Sequence, residues 1–345
     1  MSDRVMNIGV IGLSMGKHHL YQFKKCEKAK IFAICDVNKE RLTQCQKEFN
    51  VPYVFEDYRK LIDTDELDAV VVAVPNFLHA SVTILALKSG KHVLCEKPMA
   101  MNAKQAEEMI KISEVMKKKL MIHFNQRFTP ESRFLKSYID KGELGNIYYV
   151  KSGWLRRRGL PLSGWFTTKS QSGGGALIDI GVHMLDLSLW FMGFPKPLSV
   201  SSSTYTKFGK SDKKKNKIFD VDDLACAFIK FKNGASLFLE VSWASNIKQS
   251  DYIYSSVLGD KGGAERIQSP EHTIEIYKEK EGNLIDIKPK VSENLYESSQ
   301  QHFVDCIMNN KKPMSSCYEA LEVQRILDAI YKSAESKKEV KLKWD

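Results

Sequence analysis

The residue types that acid–base chemistry needs occur in two short segments far apart in the chain. Lys97 ends a β-rich run, and a lysine buried beside an oxidised cofactor has a lowered pKa. Asp179, His183 and Asp186 follow a glycine run, Gly173–Gly175, in a helical pattern. Positions i, i+4 and i+7 share one helix face. A carboxylate one turn from a histidine can fix its tautomer and stabilise the imidazolium, which predicts a general acid–base pair.

Each of these segments also has another interpretation. The carboxylates and imidazole of the helix could hold a divalent metal, although no further strong ligand motif lies nearby in sequence. His183 could equally be a buried structural histidine. Lys97 could be a surface lysine that pairs with Glu96.

The N-terminal segment has the pattern of a dinucleotide-binding turn. A short apolar strand leads into Gly12, Ser14 and Gly16, and a helical pattern follows, so the motif reads G-x-S-x-G. Asp36 ends the next strand pattern, and an acidic residue there accepts hydrogen bonds from ribose hydroxyls and repels a 2′-phosphate. The sequence thus favours NAD over NADP as cofactor, although Asp36 could instead cap the following helix.

In the first 124 residues, strand patterns alternate with helix patterns, and these elements must position Gly12, Asp36 and Lys97. Unbroken apolar runs such as 69–74 are typical of strands that are covered on both faces. Regular alternation predicts βαβ units, hence an α/β, doubly wound parallel sheet. Strands are predicted over 7–11, 31–35, 69–74, 93–95 and 120–124, with helices over 17–25, 39–49, 79–89 and 103–117 and a short one from Asp57.

The pattern changes in the second part, for which we predict an α+β domain over 125–345. Lys232-Asn-Gly234 lies between two strand patterns and signals a hairpin, so the sheet should be mostly antiparallel. Strands are predicted over 147–154, 200–208, 224–231, 235–243 and 252–259, with helices over 177–192 and 318–333.

Composition excludes several classes of protein. The chain has 345 residues and is 43% apolar, yet it contains no apolar run long enough for a membrane span or a secretory signal. Its seven cysteines are scattered, which suits a reducing cytoplasm. The net charge of +10 comes partly from the run Lys210–Lys217, which lacks interleaved aromatic residues, so we expect neither nucleic acid nor membrane as a partner.

Taken in order, these motifs resemble the Gfo/Idh/MocA family of NAD(P)-dependent sugar and polyol oxidoreductases. That family includes inositol dehydrogenases and glucose–fructose oxidoreductase. The resemblance covers nearly the whole chain. It rests on the Gly12–Gly16 turn, Asp36, Pro75-Asn76 with His79, Glu96-Lys97-Pro98, Asn125-Gln-Arg127-Phe128, Gly173–Gly175 with Asp179 and His183, and Ser315 with Glu319-Ala-Leu321.

The resemblance implies a fold and an active site. It implies a Rossmann domain over 1–124, followed by an α+β domain with a large open sheet that packs against another subunit in a homodimer or homotetramer. By the same resemblance, His183 accepts the substrate proton, Asp179 supports His183, and Lys97 hydrogen-bonds the reacting oxygen and the cofactor ribose. A cis Lys97–Pro98 peptide bond is expected, and no metal is.

Further contacts follow from the same resemblance. Ser14 departs from the commonest family glycine. Arg156 and Trp165 are expected to bind substrate together with Lys97, Asp179 and His183, although some of Arg156–Arg158 could instead form interface or surface ion pairs. The residues expected to bind cofactor are Gly12, Ser14, Met15, Gly16, Asp36, Val74, Pro75, Asn76, His79, Glu96, Lys97, Arg127 and Trp165.

The expected activity is hydride transfer between NAD, with NADP as a second option, and a secondary hydroxyl of a sugar or cyclic polyol. Two alternatives remain open at this point. One is an enzyme that retains NAD and cleaves glycosides through transient oxidation and elimination. The other is a regulator that binds NAD without catalysis, although such a protein has no need of a proton acceptor.

Overall fold

A computed structural model describes residues 4–161, 164–211, 214, 217–292 and 297–342. The chain forms two compact units, the first made of residues 1–124 and 297–324 and the second of residues 125–296 and 325–345. Within the basic run Lys210–Lys217, positions 212, 213, 215 and 216 lie outside the described residues.

The first unit contains a six-stranded sheet that is parallel throughout. Its strand order is β3-β2-β1-β4-β5-β6, so the order reverses between β1 and β4. Ligands of open α/β sheets bind beyond the carboxyl ends of the strands at such a reversal. The strands are β1 (Met6–Ile11), β2 (Ala29–Cys35), β3 (Tyr53–Phe55), β4 (Ala69–Val72), β5 (His92–Cys95) and β6 (Leu120–Ile122).

Helices connect these strands, and side-chain caps start several of them. Asn38, Asp57 and Asn102 each accept a hydrogen bond from a backbone N–H in the first turn of the helix they precede. The first helix begins directly after Gly12, four residues earlier than predicted. The helices are α1 (Leu13–Phe23), α2 (Lys39–Phe49), α3 (Tyr58–Ile62), α4 (Asn76–Lys88) and α5 (Ala103–Val115).

The second unit contains a nine-stranded sheet in which only β7 and β10 pair in parallel. Its strand order is β14-β13-β12-β11-β7-β10-β9-β8-β15. The predicted fold class, a parallel sheet followed by a large, mostly antiparallel sheet, is confirmed. The elements are α6 (Pro130–Asp140), β7 (Ile147–Arg156), α7 (Lys169–Ser172), α8 (Val182–Phe191), β8 (Pro197–Tyr205), β9 (Leu224–Phe231), β10 (Ser236–Ser242), β11 (Asp251–Gly259), β12 (Gly262–Ser269), β13 (Thr273–Lys280), β14 (Asn283–Ile287) and β15 (Val340–Lys341).

One face of this sheet is covered by the helix that follows the glycine run. Leu237, Leu239 and Val241 of β10 alternate toward this face and are fully buried. Residues Lys169–Phe191 contain an 18-residue window that is apolar enough to cross a membrane, but 89% of that window is buried inside the protein. The segment is therefore accounted for as a core helix.

A late segment of the chain belongs to the first unit. It contains α9 (Ser299–Met308) and the start of α10 (Cys317–Ser336). Ser315 Oγ donates a hydrogen bond of 2.6 Å to the carbonyl oxygen of Ile122, at the end of β6. Contacts group residues 297–324 with the first unit rather than with the rest of residues 125–345. Contacts between residues so far apart in the chain leave no local signal in the sequence.

Candidate active site

Gly12 is the residue at which β1 passes into α1. Its φ is +87°, and a Cβ at this position would lie 2.4 Å from the carbonyl oxygen of Ala73, so only glycine fits. The turn brings the N-terminus of α1 to the carboxyl edge of the sheet, where free N–H groups and the helix dipole stabilise a phosphate. Ser14 and Met15 are exposed in the first turn of α1, and Ser14 has an ordinary negative φ. The cradle fits a dinucleotide pyrophosphate, and the departure from glycine at Ser14 introduces no backbone strain.

Asp36 is buried at the end of β2 and connects that strand to the cradle. Its Oδ2 accepts hydrogen bonds from the Leu13 N–H at 2.7 Å and from Arg41 Nη1 at 3.1 Å. Its Oδ1 accepts the Asn38 N–H at 2.8 Å, whereas Asn38 itself caps α2. Asp36 therefore fixes the start of α1 and leaves a negative charge at the edge of the sheet.

The turns that follow β4 and β5 are joined by one histidine. His79, which is buried in α4, lies 2.9 Å from the carbonyl oxygen of Val74 through Nε2 and 2.7 Å from that of Pro98 through Nδ1. The Lys97–Pro98 peptide bond is cis, as the resemblance predicted. Pro75 and Asn76 begin α4 in the same region. His79 thus contacts the backbone of both turns.

Glu96 is buried in the first unit beside two histidines. Its Oε1 lies 2.9 Å from His19 Nε2 and 2.8 Å from His123 Nδ1. Its Oε2 accepts the backbone N–H of Lys97 at 3.2 Å. The Glu96 carboxylate therefore binds groups of its own unit on both oxygens.

The glycine run of the second unit lies against a buried carboxylate that sequence reasoning missed. A Cβ on Gly175 would lie 1.8 Å from the carbonyl oxygen of Asp222. The Asp222 carboxylate accepts the N–H groups of Gly175 and Leu177 at 2.8 and 2.9 Å and the Tyr331 hydroxyl at 2.8 Å. Burial, opposed by these hydrogen bonds, raises the pKa of Asp222. Asp222 thereby fixes the backbone at which the helical segment starts.

Asp179 lies in a π-helical turn, Leu177–Gly181, that leads into α8. Such turns inside helices are frequent at functional sites. Its Oδ2 accepts a 2.9 Å hydrogen bond from the indole Nε1 of Trp243, which is fully buried at the end of β10. The Asp179 side chain is thus oriented from the sheet.

His183 lies one turn further along, in α8, and is 8% exposed. Its ring centroid is 6.0 Å from that of Trp154 on β7. Asp186, which was predicted to share the face of Asp179 and His183, is fully buried and contacts Arg127. Arg127 Nε and Nη2 donate to the two Asp186 oxygens at 2.9 and 2.6 Å. Asp186 therefore forms a buried ion pair with Arg127, which lies far away in the sequence.

Trp154 is held in place from two sides. Its Nε1 donates to Asp251 Oδ1 at 2.8 Å, and the guanidinium carbon of Arg156 lies 4.9 Å from its ring centroid. Arg158, in contrast, binds the Ser245 carbonyl oxygen and the Asn246 side chain. Of the three arginines, Arg156 is the one that stacks on the tryptophan beside His183.

The predicted site residues are divided between the two units. The first unit holds Lys97 and most of the expected cofactor residues, and the second holds Arg127, Arg156, Trp165, Asp179 and His183. Trp165 is partly exposed and stacks on Phe166 with ring centroids 4.0 Å apart. Sequence reasoning missed Asp222, Trp243 and His19. Of these three residues, only Asp222 lies in a recognisable pattern, the acidic segment 220–223 that precedes a predicted strand.

Two parts of the chain match models of one protein family. Residues 6–124 match the oxidoreductase family's NAD-binding Rossmann fold, and residues 136–342 match its C-terminal alpha/beta domain. The two matches together span most of the chain.

Individual relatives are similar over long stretches. The chain is 31% identical over 358 residues to a D-glucoside 3-dehydrogenase of Escherichia coli (strain K12), covering 99% of each chain. It is 28% identical to a myo-inositol 2-dehydrogenase of Thermotoga maritima over 74% of each. A levoglucosan dehydrogenase, solved in complex with NADH and levoglucosan, superposes with a TM-score of 0.89 at 24% identity, over 99% of this chain and 100% of the other. At this level of sequence identity, the superposition shows that the two chains share a fold.

Proposed function

The chain belongs to the Gfo/Idh/MocA oxidoreductase family, and we propose that it oxidises a secondary hydroxyl of a sugar or cyclic polyol with His183 as proton acceptor. The observation that carries this proposal is the fixed pair on the π turn and α8. Trp243 orients Asp179 by a 2.9 Å hydrogen bond, and His183 follows one turn later beside Trp154. A carboxylate so held can orient the imidazole and stabilise its charged form.

Several residues of the chain have separate roles in the proposed reaction. Bound at the Gly12 cradle, NAD would supply the acceptor for the hydride of the substrate carbon. His183 takes the hydroxyl proton in the same step, so that a carbonyl and an imidazolium remain, and the imidazolium later returns its proton to water. Lys97 donates a hydrogen bond to the reacting oxygen and stabilises the negative charge that develops there. Gly12 allows close approach to the pyrophosphate.

Asp36 is proposed to set the preference for NAD. Its buried charge lies at the end of β2, where the ribose of a dinucleotide binds in this class of fold, and it opposes a 2′-phosphate. Arg41 is the cation nearest to that carboxylate, at 3.1 Å, so it is also the residue that would favour a phosphate if the acid were removed.

A pyranose or inositol ring is proposed as the substrate class. Trp154 presents an indole fixed by Asp251 and Arg156 next to His183, and an aromatic ring stacks on the C–H groups of such a ring. Arg156 supplies donors for hydroxyl groups. The names of the similar enzymes, which act on glucosides, levoglucosan or inositol, support the same class.

A homo-oligomer formed through the nine-stranded sheet is proposed as the assembly. On the face opposite α8, Phe228 and Phe238 are adjacent in register, and Lys151 lies over the rings of Phe238 and Tyr254. Phe228 is 36% exposed. Light scattering on the purified protein should give at least a dimer mass, and Phe228→Glu should lower it.

A cytoplasmic location is proposed from the cysteines. All seven are free thiols and six are buried. Such a set suits a reducing compartment.

The activity is tested by following NADH fluorescence with methyl glucosides, levoglucosan and inositols. Oxidation of at least one of them is expected, with kcat lowered about 10²–10⁴-fold in His183→Ala while NAD binding persists. Unchanged kcat in that variant would remove His183 from the reaction. Release of the aryl group from an aryl glucoside without net NADH would show glycoside cleavage instead.

A further inference from the structure

Three buried side chains form a cluster behind Lys97 in the first unit. Glu96 is 6% exposed, His123 is 5% exposed and His19 is fully buried. The two histidine rings are 4.5 Å apart between centroids and share Oε1 of Glu96 as hydrogen-bond acceptor. A buried carboxylate is stable when several donors satisfy it, and this one has three, counting the backbone N–H of Lys97.

The partners of the cluster fix where its protons lie. Gln300 Nε2 is 2.8 Å from His19 Nδ1, and because an amide nitrogen only donates, that ring nitrogen is the acceptor. The His19 proton therefore lies on Nε2 and points to Glu96. Burial, together with the nearby His123, lowers the pKa of His19 to about 4.

Glu96 is held in its ionised form by the same contacts. Burial alone would raise its pKa, but the charge and hydrogen bond of His123 and the hydrogen bond from His19 bring the pKa of Glu96 well below its usual range. With His19 neutral and Glu96 ionised, the ring N–H of His19 donates and the carboxylate accepts, so the hydrogen bond between them has a single direction. The carboxylate is thus a fixed acceptor for the Lys97 backbone.

The other side of the Lys97 turn is held as well. His79 lies 2.7 Å from the carbonyl oxygen of Pro98 and is also buried. Lys97 is therefore preceded and followed by residues whose polar groups are fixed inside the unit. His19 adds a second connection, because it belongs to α1, the helix that starts at the Gly12 cradle.

We propose that Glu96, fixed by His19 and His123, is a positioning residue for Lys97 and connects the Lys97 turn to the helix of the pyrophosphate cradle. This role, which differs from the direct cofactor contact that the resemblance implies for Glu96, rests on the proposed function of Lys97. A misplacement of a reacting group by about 1 Å can cost about 10²-fold in rate.

Matched variants separate this role from a merely structural one. The amide nitrogen of Gln overlies Nε2 of a histidine, and that of Asn overlies Nδ1, so His19→Gln and His123→Asn keep the donor to Glu96. His19→Leu and His123→Leu remove it. We expect kcat to fall about 10–100-fold in the Leu variants and to remain within about threefold in the amide variants, with KM for the sugar little changed. Glu48→Gln, at an exposed ion pair on α2, is the surface control.

Histidine NMR tests the cluster without turnover. In the wild type the His19 proton should be on Nε2, and the ring should stay neutral to about pH 4; in Glu96→Gln the His19 and His123 resonances should shift, while Glu48→Gln leaves them unchanged. Wild-type kcat in His123→Leu would overturn the positioning role. If the wild type oxidises no sugar, the proposed function fails, and the NMR result still decides the proton arrangement.

A metal ion is the competing occupant of this cluster. The ligand atoms of His19, Glu96 and His123 all lie within 4.8 Å of one another, and imidazole with carboxylate suits zinc. One equivalent of zinc in the purified protein, lost with activity on chelation, would overturn the positioning role in favour of a metal centre. Full activity after chelation, with no bound metal, is the expected result.

Discussion

Replacing Trp243 by phenylalanine tests the orientation of Asp179 directly. Trp243 meets Phe219 edge to face at 6.4 Å between ring centroids, and phenylalanine keeps a buried aromatic ring at this position. The substitution removes the indole N–H that Asp179 accepts at 2.9 Å, together with the part of the indole that exceeds a benzyl ring. A hydrogen bond to a charged group contributes about 1.5–3 kcal/mol. If all of it serves the reacting geometry, kcat falls by about 10–150-fold.

Stopped-flow or steady-state NADH formation, measured from pH 5 to 9, is the assay. Oxidation should rise with pH in the wild type as His183 loses its proton, and the midpoint of this profile should move in Trp243→Phe because Asp179 no longer has a fixed orientation beside it. The KM for sugar should change less than kcat, since the indole N–H is bonded to Asp179.

Tyr331→Phe is the matched control for this prediction. It removes a 2.8 Å hydrogen bond to another buried carboxylate of the second unit, that of Asp222, which retains two backbone donors. Both variants should lose stability by about 1–3 kcal/mol in urea unfolding, but only Trp243→Phe should lose kcat. A wild-type kcat and pH profile in Trp243→Phe would refute the reasoning, as would an equal loss of kcat in Tyr331→Phe.

Three further predictions concern charge. In Asp36→Ser the ratio of kcat/KM for NAD over NADP should fall by at least about tenfold, because the charge that opposes a 2′-phosphate is gone and Arg41 remains; an unchanged ratio would contradict this. Asp186→Asn should lower the free energy of unfolding by about 3–5 kcal/mol in urea titrations, since Arg127 is left as a buried uncompensated charge, and a loss below about 1 kcal/mol would be inconsistent with the ion pair. The third prediction is a loss of stability in acid. The pKa of His19 is about 4 in the folded state and about 6.5 in the unfolded state, so the contribution of His19 to stability is complete above pH 6.5 and is lost as the pH falls toward 4. Calorimetry should find a weaker dependence of stability on pH in His19→Gln.

Local patterns in the sequence were sufficient to predict most of the fold. The apolar run 69–74 corresponds to β4, whose four residues are all buried, and the Asn233-Gly234 turn gives the predicted hairpin with Gly234 at φ +87°. Glycines mark two of the places where another backbone approaches closely, at Gly12 and Gly175. The strand and the hairpin depend on neighbours in the chain and are therefore visible in a single sequence, whereas the close approaches at the glycines are marked by the residue type alone.

The parts that were missed depend on distant pairings. The strands β12 to β14 carry many polar residues, so their patterns did not separate them from loops. The π turn shifts the helix before α8, and Asp186 meets Arg127 across 59 positions. Trp243 meets Asp179 across 64 positions. Each contact is specified by tertiary packing and leaves no periodic signal.

The late segment 297–324 has a consequence for biosynthesis. Ser315 binds Ile122 across 193 positions, so the contacts of the first unit are incomplete until residues 297–324 have left the ribosome. Closing a loop of that size costs chain entropy before the stabilising contacts form, which slows folding. Apolar surface stays exposed during that time. A fragment that stops at residue 124 should consequently aggregate or recruit chaperones during translation, whereas the full-length chain can bury the same surface once α9 has emerged.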